Sequence, residues 1–173
     1  MQRIAKFHKV SKELFVIDWT GAFPEQTPEQ AEEIYEAIRL PRRATAGSAG
    51  YDFFAPADFR IAPGKTVRIP TGIRVEMEPG WVLKCYPRSG LGFKFRLQLD
   101  NTVGIIDSDY FYSDNEGHIF AKITNDSRES RTVELAAGTG FMQGIFVEYG
   151  ITLDDDVIDR RNGGFGSTTP LPH

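Results

Sequence analysis

The sequence predicts an all-β fold, a barrel or a jelly roll, with one short helix before it and a C-terminal arm after it. About eight short runs rich in β-branched and aromatic residues follow one another closely, a pattern typical of small barrels and jelly rolls. The turn pairs Pro63-Gly64 and Pro79-Gly80 bracket one of these runs, and such pairs end strands. Among these runs are RIAKFHKV, KTVRIPTGIRVEM (long enough for two strands), WVLKCYP, VGIIDSDYF, HIFAKITN, RTVELAAG and GFMQGIFVEYGI.

A single helix is predicted over residues 28–39. Thr27 serves as its N-cap, Pro28 takes its first position, and Gln30 completes a capping box. An apolar stripe with the helical period follows, and Pro41 ends the helix; the stripe consists of Ala31, Ile34, Tyr35 and Ile38. We therefore interpret residues 11–39 as an extended N-terminal insertion whose helix packs on the outside of the β body.

The length of 173 residues suits one domain with a core of its own. Strand-like patterns stop near Tyr149, so residues 1–150 are assigned to the β domain and residues 151–173 to a flexible arm. Two interpretations of the arm stay open. Its composition fits a disordered tail, but Phe165 among glycines, close to Arg160 and Arg161, also fits an arm that binds a ring and a phosphate.

Composition and charge argue against several partners. The net charge of −4 predicts no broad basic face for duplex nucleic acid, and no apolar run approaches the roughly 20 residues that a membrane span needs.

One cysteine, Cys85, allows no internal disulfide and permits a reducing compartment. The N-terminal stretch, broken by charges, lacks a signal-peptide core, so a cytoplasmic protein is expected. Cys85 is interpreted as a small buried hydrophobe rather than a reactive thiol.

Two aspartates, Asp107 and Asp109, follow the apolar run 103–106. In a continued strand both would face one side, with Tyr110 on the other. Paired carboxylates can hold a hydrated Mg²⁺, or one can act as a general base while the other assists it. The alternative is an Asp-Ser-Asp turn after the strand, because Asp and Ser favour turns. The residues themselves leave both interpretations open.

The stretch YPRSGLGF contains Arg88, Ser89 and two glycines, Gly90 and Gly92. A guanidinium group, a hydroxyl and backbone that a ligand can approach closely are suited to binding a phosphate. A surface turn explains the same residues. Ser89 as an acyl nucleophile is disfavoured because the strand-turn-helix motif of such serines is missing.

The order and spacing of five segments resemble the five motifs of the trimeric deoxyuridine triphosphatases (dUTPases). The segments are AGSAGYDFFAP, PRSGLG, NTVGIIDSDY, GTGFMQGIF and RRNGGFGST, and the resemblance covers Leu40 to Thr168. The resemblance implies a distorted jelly-roll β-barrel, a homotrimer with active sites at subunit interfaces, and Mg²⁺-dependent hydrolysis of dUTP to dUMP and pyrophosphate. That activity limits uracil incorporation into DNA and supplies dUMP for dTMP synthesis.

The resemblance also implies a role for each matching residue. Asp107 would be the catalytic carboxylate that activates water, and Tyr110 would pack under the sugar and leave no room for a 2′-hydroxyl. Mg²⁺ would be held by the triphosphate and water, with Asp52 as support and no direct protein ligand. The other substrate-binding residues implied are Asn101, Gly104, Ile105 and Ile106 for uracil, Phe165 stacked on it, and Arg88, Ser89, Gly90, Gln143, Arg160, Gly166, Ser167 and Thr168 for the phosphates.

The sequence departs from the family pattern at four places. Residues 11–39 are longer than the usual lead-in, and residues 111–117 are an insertion after the third motif. Thr139 and Gly140 replace an acidic residue and an arginine in the fourth motif, which predicts the loss of a structural ion pair. Arg161 takes the place of a glycine. Two alternatives stay open: a dCTP deaminase-like enzyme of the same fold, and a non-catalytic nucleotide sensor or regulator.

Overall fold

The computed structural model describes residues 2–159 and confirms a mainly β body. Within this range the strands are β1 (Ala5–Lys9), β2 (Arg42–Arg43), β3 (Tyr51–Phe54), β4 (Phe59–Ile61), β5 (Thr66–Pro70), β6 (Ile73–Met77), β7 (Trp81–Pro87), β8 (Leu97–Leu99), β9 (Gly104–Ile106), β10 (Phe120–Asn125), β11 (Val133–Leu135) and β12 (Gly140–Glu148). The helices are α1 (Lys12–Ala22), α2 (Pro28–Ala37) and α3 (Ser89–Phe95), and a 3₁₀ helix spans Ser108–Tyr112. None of the helices in this range is long and apolar enough to cross a membrane.

Antiparallel pairing arranges the strands into several sheets. The largest has the order β2-β3-β12-β7-β9, and a second has the order β5-β10-β8; the pairs β1-β6 and β11-β4 complete the set in the described range. Strand β12 lies between β3 and β7, far from both in sequence, so the chain crosses over as it does in jelly rolls. The described pairings leave the sheets open rather than closing them into one continuous barrel.

The core lies between the sheets and follows the alternation of the strands. Phe53 of β3, Leu83 of β7 and Phe141 of β12 are at most 1% exposed, as are Ile69 of β5 and Ile123 of β10 on the facing sheet. Each such side chain stabilises the fold by about 1.5–3 kcal/mol through burial. A continuous layer of apolar side chains therefore packs against one face of the large sheet and holds it in place.

Helix α2 confirms the predicted start and corrects the predicted end. Gln30 N donates to Thr27 Oγ1 (3.3 Å), and Thr27 N donates to Gln30 Oε1 (2.9 Å), which is the capping box expected. The helix ends at Ala37 rather than at residue 39, because Ile38 has already turned to extended backbone with ψ at 128°. Its apolar stripe packs largely on another helix, since the Tyr35 ring lies 5.6 Å from that of Phe15 in α1.

Helix α1 corrects the prediction of a single N-terminal helix. Ser11 caps it by accepting a hydrogen bond from Leu14 N, and Phe15 and Trp19 are fully buried. Its sequence, KELFVIDWTGA, carries apolar residues on several faces, so it lacks the one-sided stripe by which an amphipathic helix is detected. Packing of its two aromatic side chains, rather than local preference, fixes this helix on the β body.

Candidate functional site

Four of the five motif segments lie on neighbouring strands of the largest sheet. Asp52 on β3 pairs in register with Gln143 on β12, and Gln143 in turn pairs with Tyr86 on β7. Strand β7 continues into Arg88, and its other edge pairs with β9, where Lys84 faces Ile105. The sheet thus brings together segments that are distant in the sequence, since Asp52 pairs with Gln143.

At one end of this sheet Arg88 forms an ion pair with Asp52. Arg88 Nη1 lies 3.2 Å from Asp52 Oδ2, and the Asp52 side chain is only 15% exposed. Gly140 makes room for this pair, because a Cβ there would lie 2.8 Å from Arg88 Nη1. The fourth-motif residue that departs from the family pattern therefore provides the space in which Arg88 reaches Asp52.

Gln143 connects the first, second and fourth motifs. Its Nε2 donates to the carbonyl oxygen of Pro87 at 3.4 Å, and a Cβ on Gly50 would lie only 2.8 Å from its Oε1. Replacing Gly50 by any larger residue would push Gln143 aside. Three segments that the sequence analysis singled out therefore converge within one contact shell.

The segment after Arg88 is a helix, which corrects the expectation of a turn or loop. Arg88 is the N-cap of α3 in extended backbone, and its carbonyl oxygen accepts from the amides of Leu91 (3.1 Å) and Gly92 (3.0 Å). Ser89 and Gly90 are the first residues of the helix and are exposed to solvent. The two glycines Gly90 and Gly92 favour a turn, but the backbone continues through the following Phe and Lys residues as a helix.

A cleft of about 800 Å³ opens beside Arg88 and Gly90. Its lining includes two further cations, Lys94 of α3 and Arg131, which the sequence analysis did not assign to the site. Arg131 already has an acidic partner, since its Nη2 lies 2.6 Å from Glu129 Oε2. Lys94 lies two residues after Gly92, the last residue of the second motif. This closeness to Arg88 in the sequence is the signal that could have identified it.

At the other end of the sheet, Asp107 follows directly after the edge strand β9. It occupies the N-cap position of the 3₁₀ helix in extended backbone, and its carbonyl oxygen accepts from Tyr110 N at 3.2 Å. The continued-strand interpretation of Asp107 and Asp109 is therefore wrong, because the strand ends at Ile106. The turn interpretation is the better description of the backbone.

A cleft of about 480 Å³ contains Asp107. Lys84 of β7 contributes a cation to it, and Tyr149, at the end of β12, forms part of its wall; the remaining lining residues are Val82, Ile105, Ser108 and Asp109. Lys84 was missed because its place beside Asp107 depends on the pairing of β7 with β9.

Tyr110 is buried and held by the residues that follow it. Its hydroxyl donates to the carbonyl oxygen of His118 at 2.9 Å and accepts from Asn115 Nδ2 at 2.8 Å. Only 7% of the side chain surface is exposed. The insertion at residues 111–117 is therefore packed against this tyrosine.

Asn101 lies in the exposed turn before β9, and Gly104 begins the strand in close contact with β7. A Cβ on Gly104 would lie 3.1 Å from Cys85 Cβ and 3.9 Å from Asn101 Nδ2. Cys85 is 2% exposed, and burial raises the pKa of its thiol to about 12. This confirms the interpretation of Cys85 as a buried hydrophobe.

The structure does not bring all the predicted residues into one cleft. Asp52, Arg88 and Gln143 lie at one end of the sheet, and Asp107 and Tyr110 at the other. Asn101 precedes β9, whose first residue Gly104 pairs with Cys85, so it lies beyond the opposite end of that strand from Asp107. In the described part of the chain, no residue lines both clefts. The predicted fifth-motif residues Arg160, Arg161, Phe165, Gly166, Ser167 and Thr168 lie outside the described residues. Between residues 2 and 159, no group of three or more His, Cys, Asp or Glu side chains is arranged to hold a metal ion.

Comparison with known families matches residues 36–169 to the dUTPase family. A deoxyuridine 5'-triphosphate nucleotidohydrolase from Lactococcus lactis subsp. lactis (strain IL1403) is 41% identical over 134 residues, which cover 76% of this chain and 88% of that relative. An enzyme of the same name from Enterobacter sp. (strain 638) is 40% identical over 135 residues, covering 73% and 84%.

Solved structures agree with this match. The crystal structure of a dUTPase from Streptococcus mutans is 41% identical, covers 68% of this chain and 90% of its own, and superimposes with a TM-score of 0.59. A dUTPase of Staphylococcus bacteriophage 80alpha is 17% identical and covers 91% and 98%, with a TM-score of 0.63. At that identity the phage protein shows the fold alone, and it agrees with the expected dUTPase-like jelly roll.

Proposed function

Because the chain belongs to the dUTPase family, we propose that it hydrolyses dUTP to dUMP and pyrophosphate, with Asp107 activating the attacking water. The observation that carries this is the meeting of four motif segments on neighbouring strands of one sheet. An accidental match of sequence motifs would have no reason to place them side by side. The physiological consequence is a low dUTP level, which limits uracil in DNA, and a supply of dUMP for dTMP synthesis.

Asp107 serves as the general base at the innermost phosphorus. A carboxylate on a turn directly after a rigid strand is held in place and can accept the proton of a water aimed at the α-phosphorus. The P–O bond to pyrophosphate then breaks, so the oxygen of the water remains in dUMP. The nearby cation Lys84, in the same cleft, supports the negative charge in this region.

The edge strand β9 supplies the surface that identifies uracil. It is the outermost strand of its sheet, so one row of its backbone N–H and C=O groups points away from β7 and can pair with a ligand. Gly104, Ile105 and Ile106 provide these groups, and Asn101 lies at the entry to the strand. A site that pairs with uracil leaves groups unpaired when cytosine binds, which accounts for rejection of dCTP.

Arg88 and Gln143 bind the phosphates, together with Ser89 and Gly90. Arg88 is paired with Asp52, and a triphosphate would offer it a stronger, bidentate partner. Mg²⁺ would supply positive charge that offsets the charge of the triphosphate. The mostly buried Asp52 carboxylate beside Arg88 would accept hydrogen bonds from the water ligands of the ion. A hydrated ion of this kind needs no cage of protein ligands.

We propose that the active protein is a homotrimer, with each site shared between subunits. The separation of the two clefts supports this, because a neighbouring copy can bring an Asp107 cleft to an Arg88 cleft. A row of apolar side chains is also left exposed after β12: Tyr149 is 47% exposed, Ile151 73%, Val157 74% and Ile158 92%. Burial of these side chains against a second copy would offset the loss of freedom on association.

The C-terminal residues 151–173 are proposed to form an arm that closes over a neighbouring site. Arg160 and Arg161 would add charge at the phosphates, Phe165 would stack on uracil, and Gly166, Ser167 and Thr168 would contact the phosphates. We also propose a cytoplasmic location, with which the free, buried Cys85 is compatible.

Release of pyrophosphate from dUTP, dCTP, dTTP and UTP in magnesium buffer tests the proposal. We expect rapid release from dUTP and slow release from the other three. Ammonia from dCTP would instead favour a deaminase, and binding of dUTP without turnover would favour a nucleotide sensor.

A further inference from the structure

The insertion at residues 111–117 folds back on the 3₁₀ helix that carries Tyr110. Asn115 and the carbonyl of His118 both bond the Tyr110 hydroxyl. At Gly117, where φ is 70°, a Cβ would lie only 2.6 Å from the carbonyl oxygen of Tyr110. The insertion and Tyr110 are therefore in direct backbone contact, and the orientation of the tyrosine depends on the conformation of the insertion.

Helix α1 holds the insertion from the other side. Glu116 accepts two hydrogen bonds from Ser11, from its backbone N at 2.8 Å and from its Oγ at 2.6 Å. Two turns further along α1, Asp18 Oδ2 lies 2.6 Å from His118 Nδ1. The N-cap and the body of α1 thus bind Glu116, near the end of the insertion, and His118, which follows it.

The buried His118 ring joins three elements. Its Nε2 lies 2.8 Å from the backbone N of Gly72 and must act as the acceptor of that N–H. The proton of the neutral ring is therefore on Nδ1, which donates to Asp18. The His118 side chain is fully buried, so loss of Asp18 would leave a donor without a partner in an apolar setting.

Glu116 is held in a conformation that it would not adopt alone. Its φ is 55°, in the left-handed region that is costly for a residue with a Cβ. Burial raises its pKa, but the hydrogen bonds from Ser11 and the charge of Arg74, whose Nη1 lies 3.6 Å away, outweigh this, so the pKa is below its usual value. Glu116 is therefore a charged acceptor at neutral pH, and its bonds to Ser11 keep the insertion in this conformation.

We propose that helix α1 is a positioning element for Tyr110, with Asp18 and Ser11 holding the insertion so that the ring excludes a 2′-hydroxyl. This rests on the proposed hydrolysis of dUTP and on the sugar-excluding role that the family resemblance implies for Tyr110. The family match begins at residue 36, so α1 lies entirely before it. Deoxyribose selectivity in this chain would thus depend on a segment outside the family domain.

The test compares three variants of the full chain by kcat/KM for dUTP and UTP, with thermal midpoints measured alongside. Asp18→Ala should lower the dUTP-to-UTP ratio by about tenfold, the factor expected when a hydrogen bond to a charged group is lost. Asp18→Asn keeps an acceptor for His118 Nδ1 and should restore most of the ratio. Lys12→Ala, which removes the ion pair between α1 and Glu36 of α2, should leave the ratio unchanged.

The same measurements in a Tyr110→Ala background separate the two claims. If Tyr110→Ala alone keeps the wild-type ratio, the role of Tyr110 is refuted and the proposal with it. If Tyr110→Ala lowers the ratio but Asp18→Ala does not, or if the two effects multiply in the double variant, α1 does not act through Tyr110. Should Asp18→Ala fail to fold, Ser11→Gly retains a tolerated cap and should lower the ratio by about threefold; an unchanged ratio would overturn the proposal.

Discussion

Replacing Gly140 by alanine should displace Arg88 without unfolding the protein. The new Cβ would lie 2.8 Å from Arg88 Nη1 and 3.3 Å from its Cδ. Ordinary carbon contacts are about 3.5 Å or longer, so the guanidinium must retreat by roughly 0.7 Å. The 3.2 Å contact with Asp52 would then lengthen beyond hydrogen-bonding distance.

The effect on catalysis should be much larger than the effect on stability. A misplacement of about 1 Å in a positioning group can cost up to about 100-fold in rate, so we expect kcat/KM for dUTP to fall by at least tenfold. The ion pair is partly exposed and contributes at most about 1 kcal/mol, and the atoms displaced belong to the end of a flexible side chain. The midpoint of urea unfolding should therefore change little.

Continuous pyrophosphate release provides the assay, and Gly47→Ala provides the matched control. A Cβ on Gly47 would meet no atom within 4 Å, so this variant measures the effect of a glycine-to-alanine change without the clash. Wild-type kcat/KM in Gly140→Ala would show that the position of Arg88 does not matter. A large loss of stability would show that Gly140 has a structural role that the contacts do not explain.

Three further results are expected. Asp107→Asn should bind dUTP normally but lower kcat by about 100-fold or more, because the amide cannot accept the proton; unchanged turnover would remove the general base. Cys85 should resist thiol reagents in the folded protein at pH 8, and rapid labelling of the native protein would contradict its burial. Because burial raises the pKa of the thiol, its contribution to the free energy of unfolding is fully present below pH 9. That contribution falls as the pH rises toward 12, since the unfolded chain releases the proton first. Truncation after Ile158 should abolish most activity while light scattering still detects a trimer, and a fully active truncated protein would show that the arm is dispensable.

Features encoded by neighbouring residues could be predicted from the sequence. The capping box of Thr27 and Gln30 and the stripe that follows it identified α2 to within two residues. Alternating and turn-bounded segments likewise identified most of the strands, because the period of a strand and its turn chemistry are local properties.

Features that depend on packing were missed. Helix α1 was not predicted because it has no one-sided apolar stripe; packing of Phe15 and Trp19 on the β body holds it in place instead. The same holds for Lys84, whose place beside Asp107 follows from strand pairing, and for the link between Asp18 and His118, which joins positions 100 residues apart. The pairing of Arg88 with Asp52 depends in addition on the missing side chain at Gly140, and the effect of a missing side chain is visible only in three dimensions.

Hydrolysis of dUTP in water labelled with heavy oxygen tests the central claim most directly. A water activated by Asp107 and aimed at the α-phosphorus leaves its oxygen in dUMP, so mass spectrometry should find the label there and none in pyrophosphate. Label in pyrophosphate would place the attack at the β-phosphorus, and intact dUTP after prolonged incubation with magnesium would contradict the proposed activity itself.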